Sequence, residues 1–234
     1  STGTVGYLPQ DPRTGDPDEL ARDRILSARG LHDVVRRMQE ASMRMDEPDE
    51  VERERIIARY ARAEAEFEAL GGYAVESEAA TIAASVGLPD RVLSQPLGTL
   101  SGGQRRRVEL ARILFSGADV LLLDEPTNHL DADSVRWLRK FLSTYEGGFI
   151  VISHDTALLE DTVNKVWHLD ANRREIDVYA MGWKAYGVAR ETDEKRRKRE
   201  RRNAEQQADV LRAQAEKMRA KASKAKAAQN MLRR

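Results

Sequence analysis

Residues 100–126 read LSGGQRRRVELARILFSGADVLLLDEP, and a helical period gives way to a strand within them. Gly103 to Phe115 carries the apolar spacing of an amphipathic helix, and Asp119 to Leu123 reads as a strand. Ser101, Gly102 and Gly103 at the mouth of that helix let several backbone N–H groups converge at the positive end of its dipole. Such a turn suits a terminal phosphate, although an ordinary serine-capped helix has the same composition. Val120 to Leu123 shows no alternation, as expected of a central parallel strand covered by helices on both faces. The run stops at Asp124 and Glu125, which fall at the carboxyl edge of the sheet, where ligands of open α/β sheets bind. Successive side chains leave a strand in opposite directions, so the two carboxylates cannot share one task. One can hold Mg²⁺ through water; the other can orient and polarise an attacking water. An acidic turn after a strand is the plainer alternative.

Outward from this segment the chain continues to alternate helix and strand. Thr4 to Leu8 reads as a strand stopped by Pro9. Asp18 to Gly71, rich in Arg, Glu and Ala, reads as helices broken at Asp46-Glu47-Pro48-Asp49. Its second helix runs from about Asp49 to Leu70 and stops at Gly71-Gly72. A further helix spans Glu76 to Val86. After the opening segment come helices at Ala132 to Tyr145 and Thr156 to Thr162, and strands at Phe149 to Ser153, Lys165 to Leu169 and Glu175 to Tyr179. The pattern predicts an α/β class. His154 and Asp155 follow the FIVIS strand at the same expected edge. His154 could reach a γ-phosphate and a general base, although a single histidine after a strand is usually incidental.

Composition narrows the field. No apolar run approaches the roughly 20 residues of a membrane span, and no secretory signal pattern opens the sequence. Cysteine is absent, which removes disulfides and thiolate metal sites and fits a reducing cytoplasm. The net charge of zero conceals an asymmetry: from Arg190 onward there are 16 Lys/Arg against 7 Asp/Glu, a net of +9, leaving −9 for the rest. A basic tail on an acidic body fits a polyanionic partner, or a solvated charged helix. Glu191 to Arg234 holds no Gly or Pro and reads as one long helix. Ala204, Leu211, Met218, Ala225 and Leu232 repeat every seven residues, with Ala208, Ala215 and Ala222 four behind the first three. This is a thin coiled-coil seam that needs a closely packed helix from outside the chain.

Tyr7-Leu8-Pro9-Gln10, LSGGQ, VLLLDEP, Thr127-Asn128-His129-Leu130-Asp131 and VISHD stand in the order found in ATP-binding cassette proteins, and the resemblance covers about residues 4–180. It implies a P-loop NTPase core with a helical subdomain, working on ATP and Mg²⁺. Gln10 resembles the Q-loop glutamine that senses Mg²⁺ and γ-phosphate. Ser101, Gly102, Gly103 and Gln104 resemble the signature that caps the γ-phosphate held by an opposing cassette. Asp124 is similar to the metal-holding Walker B aspartate, Glu125 to the catalytic base, Asp131 to the D-loop aspartate and His154 to the switch histidine. The family's glycine-rich phosphate loop has no counterpart, because no Gly-Lys pair occurs in the sequence. The resemblance would put that loop before Ser1, which makes the chain an internal piece of a longer protein, expected neither to bind ATP tightly nor to hydrolyse it alone.

The EPTNHLD form of the D-loop, the GGQRRRVELARIL signature and the aromatic stretch Tyr179-Ala-Met-Gly-Trp183-Lys-Ala-Tyr186 resemble the soluble ABC-F class, tandem-cassette proteins that act on ribosomes. On that resemblance residues 1–18 are the Q-loop strand region and 19–99 a helical subdomain. Residues 100–189 hold the remaining core, and 190–234 a basic linker helix leading to a second cassette of the same chain. The stretch from Gln10 to Leu100 is longer than transporter cassettes carry, and residues 20–70 are either an arm-like insertion touching the ribosome or a longer helical subdomain. The linker, around Lys217 to Lys226, implies rRNA or tRNA as partner, bound through phosphate charge. The resemblance therefore implies an ATPase for translation regulation or antibiotic protection. The competing reading is the nucleotide-binding subunit of an ABC transporter, against which the long basic helix argues.

Overall fold

Strands β1 (Val5–Leu8), β2 (Val120–Asp124) and β3 (Gly148–Ile152) form one parallel sheet in that order. Val5 lies opposite Val120, and Leu122 lies opposite both Tyr7 and Ile150. These relations come from a computed structural model that describes residues 3–9 and 15–231. The chain divides into two units, one ending at Thr162 and one beginning at Val163.

In the first unit the strand period of two sorts the sheet into unlike faces. Leu8, Leu121 and Leu123 are buried, with Phe149 and Val151 packed against the same core. The other face carries Val5 (61% exposed), Tyr7, Ile150 and Ile152 (62% exposed). Helices therefore cover one face among the described residues, not both. The aliphatic run of β2 cannot reveal this, because an unbroken apolar strand looks the same whichever side is covered.

Against the buried face lies α6 (Gly102–Phe115), with Val108, Leu110, Ala111, Ile113, Leu114 and Phe115 all buried. It crosses β1 so closely that a Cβ on Gly6 would come within 3.1 Å of the Ile113 and Leu121 side chains. Around it stand α1 (Ala21–Leu26), α2 (Leu31–Ser42), α3 (Glu50–Ala69), α4 (Gly72–Ser85) and the short α5 (Asp90–Leu93). Gly30, at φ 74°, separates α1 from α2. Asp49 starts α3 as its N-cap, accepting from the amides of Val51 (2.9 Å) and Glu52 (3.2 Å). The helix expected from Glu76 starts at Gly72 instead. Glu109, buried on α6, is neutralised by Arg24 Nε of α1 at 2.6 Å and by Arg112 Nε at 2.9 Å. Helices α7 (Ala132–Ser143) and α8 (Thr156–Thr162) complete this unit and add Leu138, Leu142 and Leu158 to the core.

The second unit is a hairpin on a helix. Strands β4 (Val166–Asp170) and β5 (Glu175–Tyr179) pair antiparallel with each other in a sheet of their own. One face docks on α9 (Trp183–Met231): Tyr179 Oη donates to Asp193 at 3.1 Å, and Arg197 donates to Asp177 at 2.9 Å. Trp167, Leu169, Ile176 and Val178 share the opposite face and are exposed. The helix begins eight residues before Glu191. Its first turn carries Trp183 and Tyr186, whose ring packs edge-on against Tyr179 with centroids 5.0 Å apart. Of the expected seam, Leu211 and Met218 are exposed, and Leu232 lies outside the described residues.

Candidate functional site

The carboxyl edge of the three-stranded sheet is built by β2 and β3 together. Glu125 follows β2, and its amide still donates to the Ile152 carbonyl at 2.8 Å, extending the ladder by one bond. The backbone then turns through a left-handed conformation at Glu125 (φ 48°), unfavourable for a residue with a Cβ. The turn closes with Asn128 N donating to Glu125 O at 3.2 Å. His154 stands just past β3. Its amide reaches Glu125 Oε2 at 3.4 Å, and its ring Nε2 lies 3.3 Å from Glu125 Oε1. The carboxylate side chain is 10% exposed, whereas the imidazole is 98% exposed. The structure thus joins the two residues expected to carry chemistry: an anchored carboxylate inside and a solvated ring above it. The carboxylate is shielded from bulk water yet opens toward solvent on the histidine side.

Asp124 ends β2 opposite Ile152, on the uncovered face. Among the described residues no group of three or more His, Cys, Asp and Glu could hold a metal ion. One carboxylate at a sheet edge fits an ion held mainly by phosphate oxygens and water. Gln10, the other expected metal contact, lies outside the described residues.

Ser101 and Gln104 form a reciprocal capping box at the start of α6. The amide of Gln104 donates to Ser101 Oγ at 3.2 Å, and the amide of Ser101 donates to Gln104 Oε1 at 2.9 Å. The Gln104 side chain is therefore engaged by its own helix, while Gly102 faces open space. Gly103 has the His129 side chain 3.6 Å from where a Cβ would stand, and His129 is itself left-handed at φ 68°. Among the described residues no hydrogen bond or ion pair joins this turn to Glu125 or His154. Asp131 caps α7 by accepting from Ser134 N at 2.8 Å. That bond, then the Ser134 side chain and the nearby Arg107, holds its carboxyl below the usual carboxylate range. Gly87, at φ 80°, gives Arg107 its anchor through its carbonyl at 2.7 Å, and a Cβ there would meet Arg107 at 3.0 Å.

One site residue was missed in the sequence. Arg106 is buried on α6 and donates to three main-chain carbonyls: Pro9 at 3.1 Å, Asp124 at 2.6 Å and Glu125 at 2.9 Å. Within RRR it looks like one more solvated cation. The available signal was its spacing, since Arg106 shares a helical stripe with Leu110 and Ile113.

The family model described as "ABC transporter" matches residues 1–128, more than half of the chain. The chain belongs to this family of ATP-binding cassettes. The energy-dependent translational throttle protein EttA of Haemophilus influenzae is 37% identical over 172 residues, which are 73% of this chain and 30% of that protein. EttA of Escherichia coli K12 has the same identity and coverage. The probable ATP-binding protein YheS of the same strain is 38% identical over 126 residues, 54% of this chain and 20% of that one. These identities support the ABC-F resemblance, and the cassette spans less than a third of the length of these relatives. Among solved structures, an ATP-binding subunit of an ABC transporter has a TM-score of 0.45 at 16% identity, covering 69% of this chain and 53% of that one. A dimeric ATP-binding cassette bound to ADP and Pi has a TM-score of 0.41 at 18% identity, covering 70% and 58%. No helix among the described residues of the cassette is long and apolar enough to cross a membrane.

Proposed function

We propose that this cassette is the hydrolytic edge of a larger tandem-cassette ATPase that acts on the ribosome in the cytoplasm. The pairing of a shielded Glu125 with the solvated His154 ring carries the ATPase part of the reading. Glu125 takes the proton of the attacking water, the His154 amide fixes the carboxylate, and the His154 ring faces the terminal phosphate. Asp124 would hold Mg²⁺, which would neutralise phosphate charge. Ser101, Gly102 and Gly103 offer their amides to a phosphate presented by the second cassette. The sequence holds no Gly-Lys pair, so the main phosphate cradle comes from outside these residues.

Two observations support the ribosome. The cassette is 37% identical to proteins named translational throttles, and its last 45 residues carry a net of +9. A tail of that charge suits an RNA backbone, with affinity that falls steeply as salt rises. The test uses the full-length parent with Glu125→Gln and the matching change in its second cassette. Ribosome co-sedimentation in ATP is expected to rise sharply and to weaken with salt; occupancy unchanged from the unmodified protein defeats the translation reading.

A further inference from the structure

We propose that Arg106 is a positioning residue that transmits the state of the serine–glycine turn to the catalytic glutamate of the same cassette. This rests on the ATPase reading above and adds a coupling to it.

The geometry is that of a clamp. Arg106 sits on α6 five residues after the N-cap Ser101, so its Cα moves with the phosphate-facing end of that helix. From there one guanidinium holds two strand ends. One nitrogen donates to Pro9 O at 3.1 Å, just after β1, and the other donates to both Asp124 O (2.6 Å) and Glu125 O (2.9 Å), at the end of β2. A planar fork can do this because its N–H groups diverge in one plane; a lysine ammonium has no such fixed divergence. Both ends of the linkage lie beside groups that matter. Pro9 precedes Gln10 in sequence, and the Glu125 carbonyl belongs to the residue whose left-handed φ of 48° aims the carboxylate at His154. The residue that must hold an uncommon backbone conformation is thus gripped by the helix that begins at the signature turn. A shift of α6 on engaging a phosphate would reach the β1 and β2 ends through this one guanidinium. Its burial and the place of its partners, not the main-chain bonding itself, separate Arg106 from the two arginines that flank it. Arg105 donates to Leu100 O and Arg107 to Gly87 O, both away from the β2 edge.

The experiment is done in the full-length parent, with Arg106→Lys and Arg106→Gln beside Glu125→Gln. Three quantities are read: kcat, nucleotide affinity, and amide exchange at Glu125, whose N–H extends the β2–β3 ladder, and at Asn128, whose N–H closes the turn. Expected are a loss of kcat of at least about tenfold in both Arg106 variants, unchanged ATP affinity, and faster exchange at those two amides with the rest of the fold protected. Lysine restores less than half of the loss because the fork is gone. Overturning results are kcat close to that of the parent, exchange that rises across the whole domain, or failure of both variants to fold; the last two make Arg106 a stability residue only. The arms separate the two readings. If Glu125→Gln abolishes turnover while the Arg106 variants keep it, only the coupling fails. If Glu125→Gln leaves turnover intact, the ATPase assignment fails with it.

Discussion

At Glu125 a left-handed backbone, a shielded carboxylate and a neighbouring imidazole coincide, and each has a separate consequence. His154 is so exposed that His154→Ala should change unfolding free energy by less than about 0.5 kcal/mol. In the full-length parent the same change should lower ATP turnover on the order of 100-fold, because a group facing the reacting phosphate is lost. Equal losses of stability and turnover would count against the assigned role. Ser101→Ala removes the acceptor of the Gln104 amide and half of a capping box. Urea denaturation should show about 1 kcal/mol of destabilisation, with Ser101→Thr retaining most of the stability. The shared sheet edge of the acidic pair and the histidine was legible in sequence because each follows an aliphatic run that ends abruptly, while their expected roles came from the resemblance. Arg106 was not, since a cation in a basic triplet declares its burial only once the helix stripe is packed.

Among the elements, the strands and the longer helices follow from local pattern. β2 and β3 appear within a residue of the limits read from VLLL and FIVI. The one-sided cover of the sheet did not follow, because an aliphatic strand is silent about which face has a partner. Likewise α9 starts at Trp183, where the aromatic residues and Gly187 disguise a first helical turn that the hairpin stabilises. Two predictions belong here. Arg24→Met leaves the buried Glu109 with only Arg112 and should cost about 2 kcal/mol in chemical denaturation. In the hairpin unit, Arg197 and then Arg173 hold the Asp177 carboxyl below its usual range. The backbone and side chain of Arg173 do the same for Asp170. A depressed folded-state pKa contributes stability that is present above the unfolded value, about 3.9 for Asp, and is lost as pH falls through the lower folded one. Amide protection across β4 and β5 should therefore drop on acidification below about pH 4. Arg197→Gln should flatten that dependence; an unchanged acid profile in the variant would remove the pairing as its cause.

For the whole molecule, the sequence lacks the glycine–lysine phosphate loop that the cassette motifs it carries would accompany, and carboxylates alone repel a nucleotide's phosphates. Calorimetric titration of the 234-residue chain with Mg-ATP is expected to show no micromolar site; such a site would mean that the cradle is built from residues assigned other roles. The central claim is that Glu125, held by Arg106 and paired with His154, is the hydrolytic base of the intact protein, and ATP turnover by the full-length Glu125→Gln variant tests it most directly. Loss of turnover on the order of 100-fold or more, with ATP binding kept, is the expected result; turnover within about twofold of the unmodified protein would contradict it.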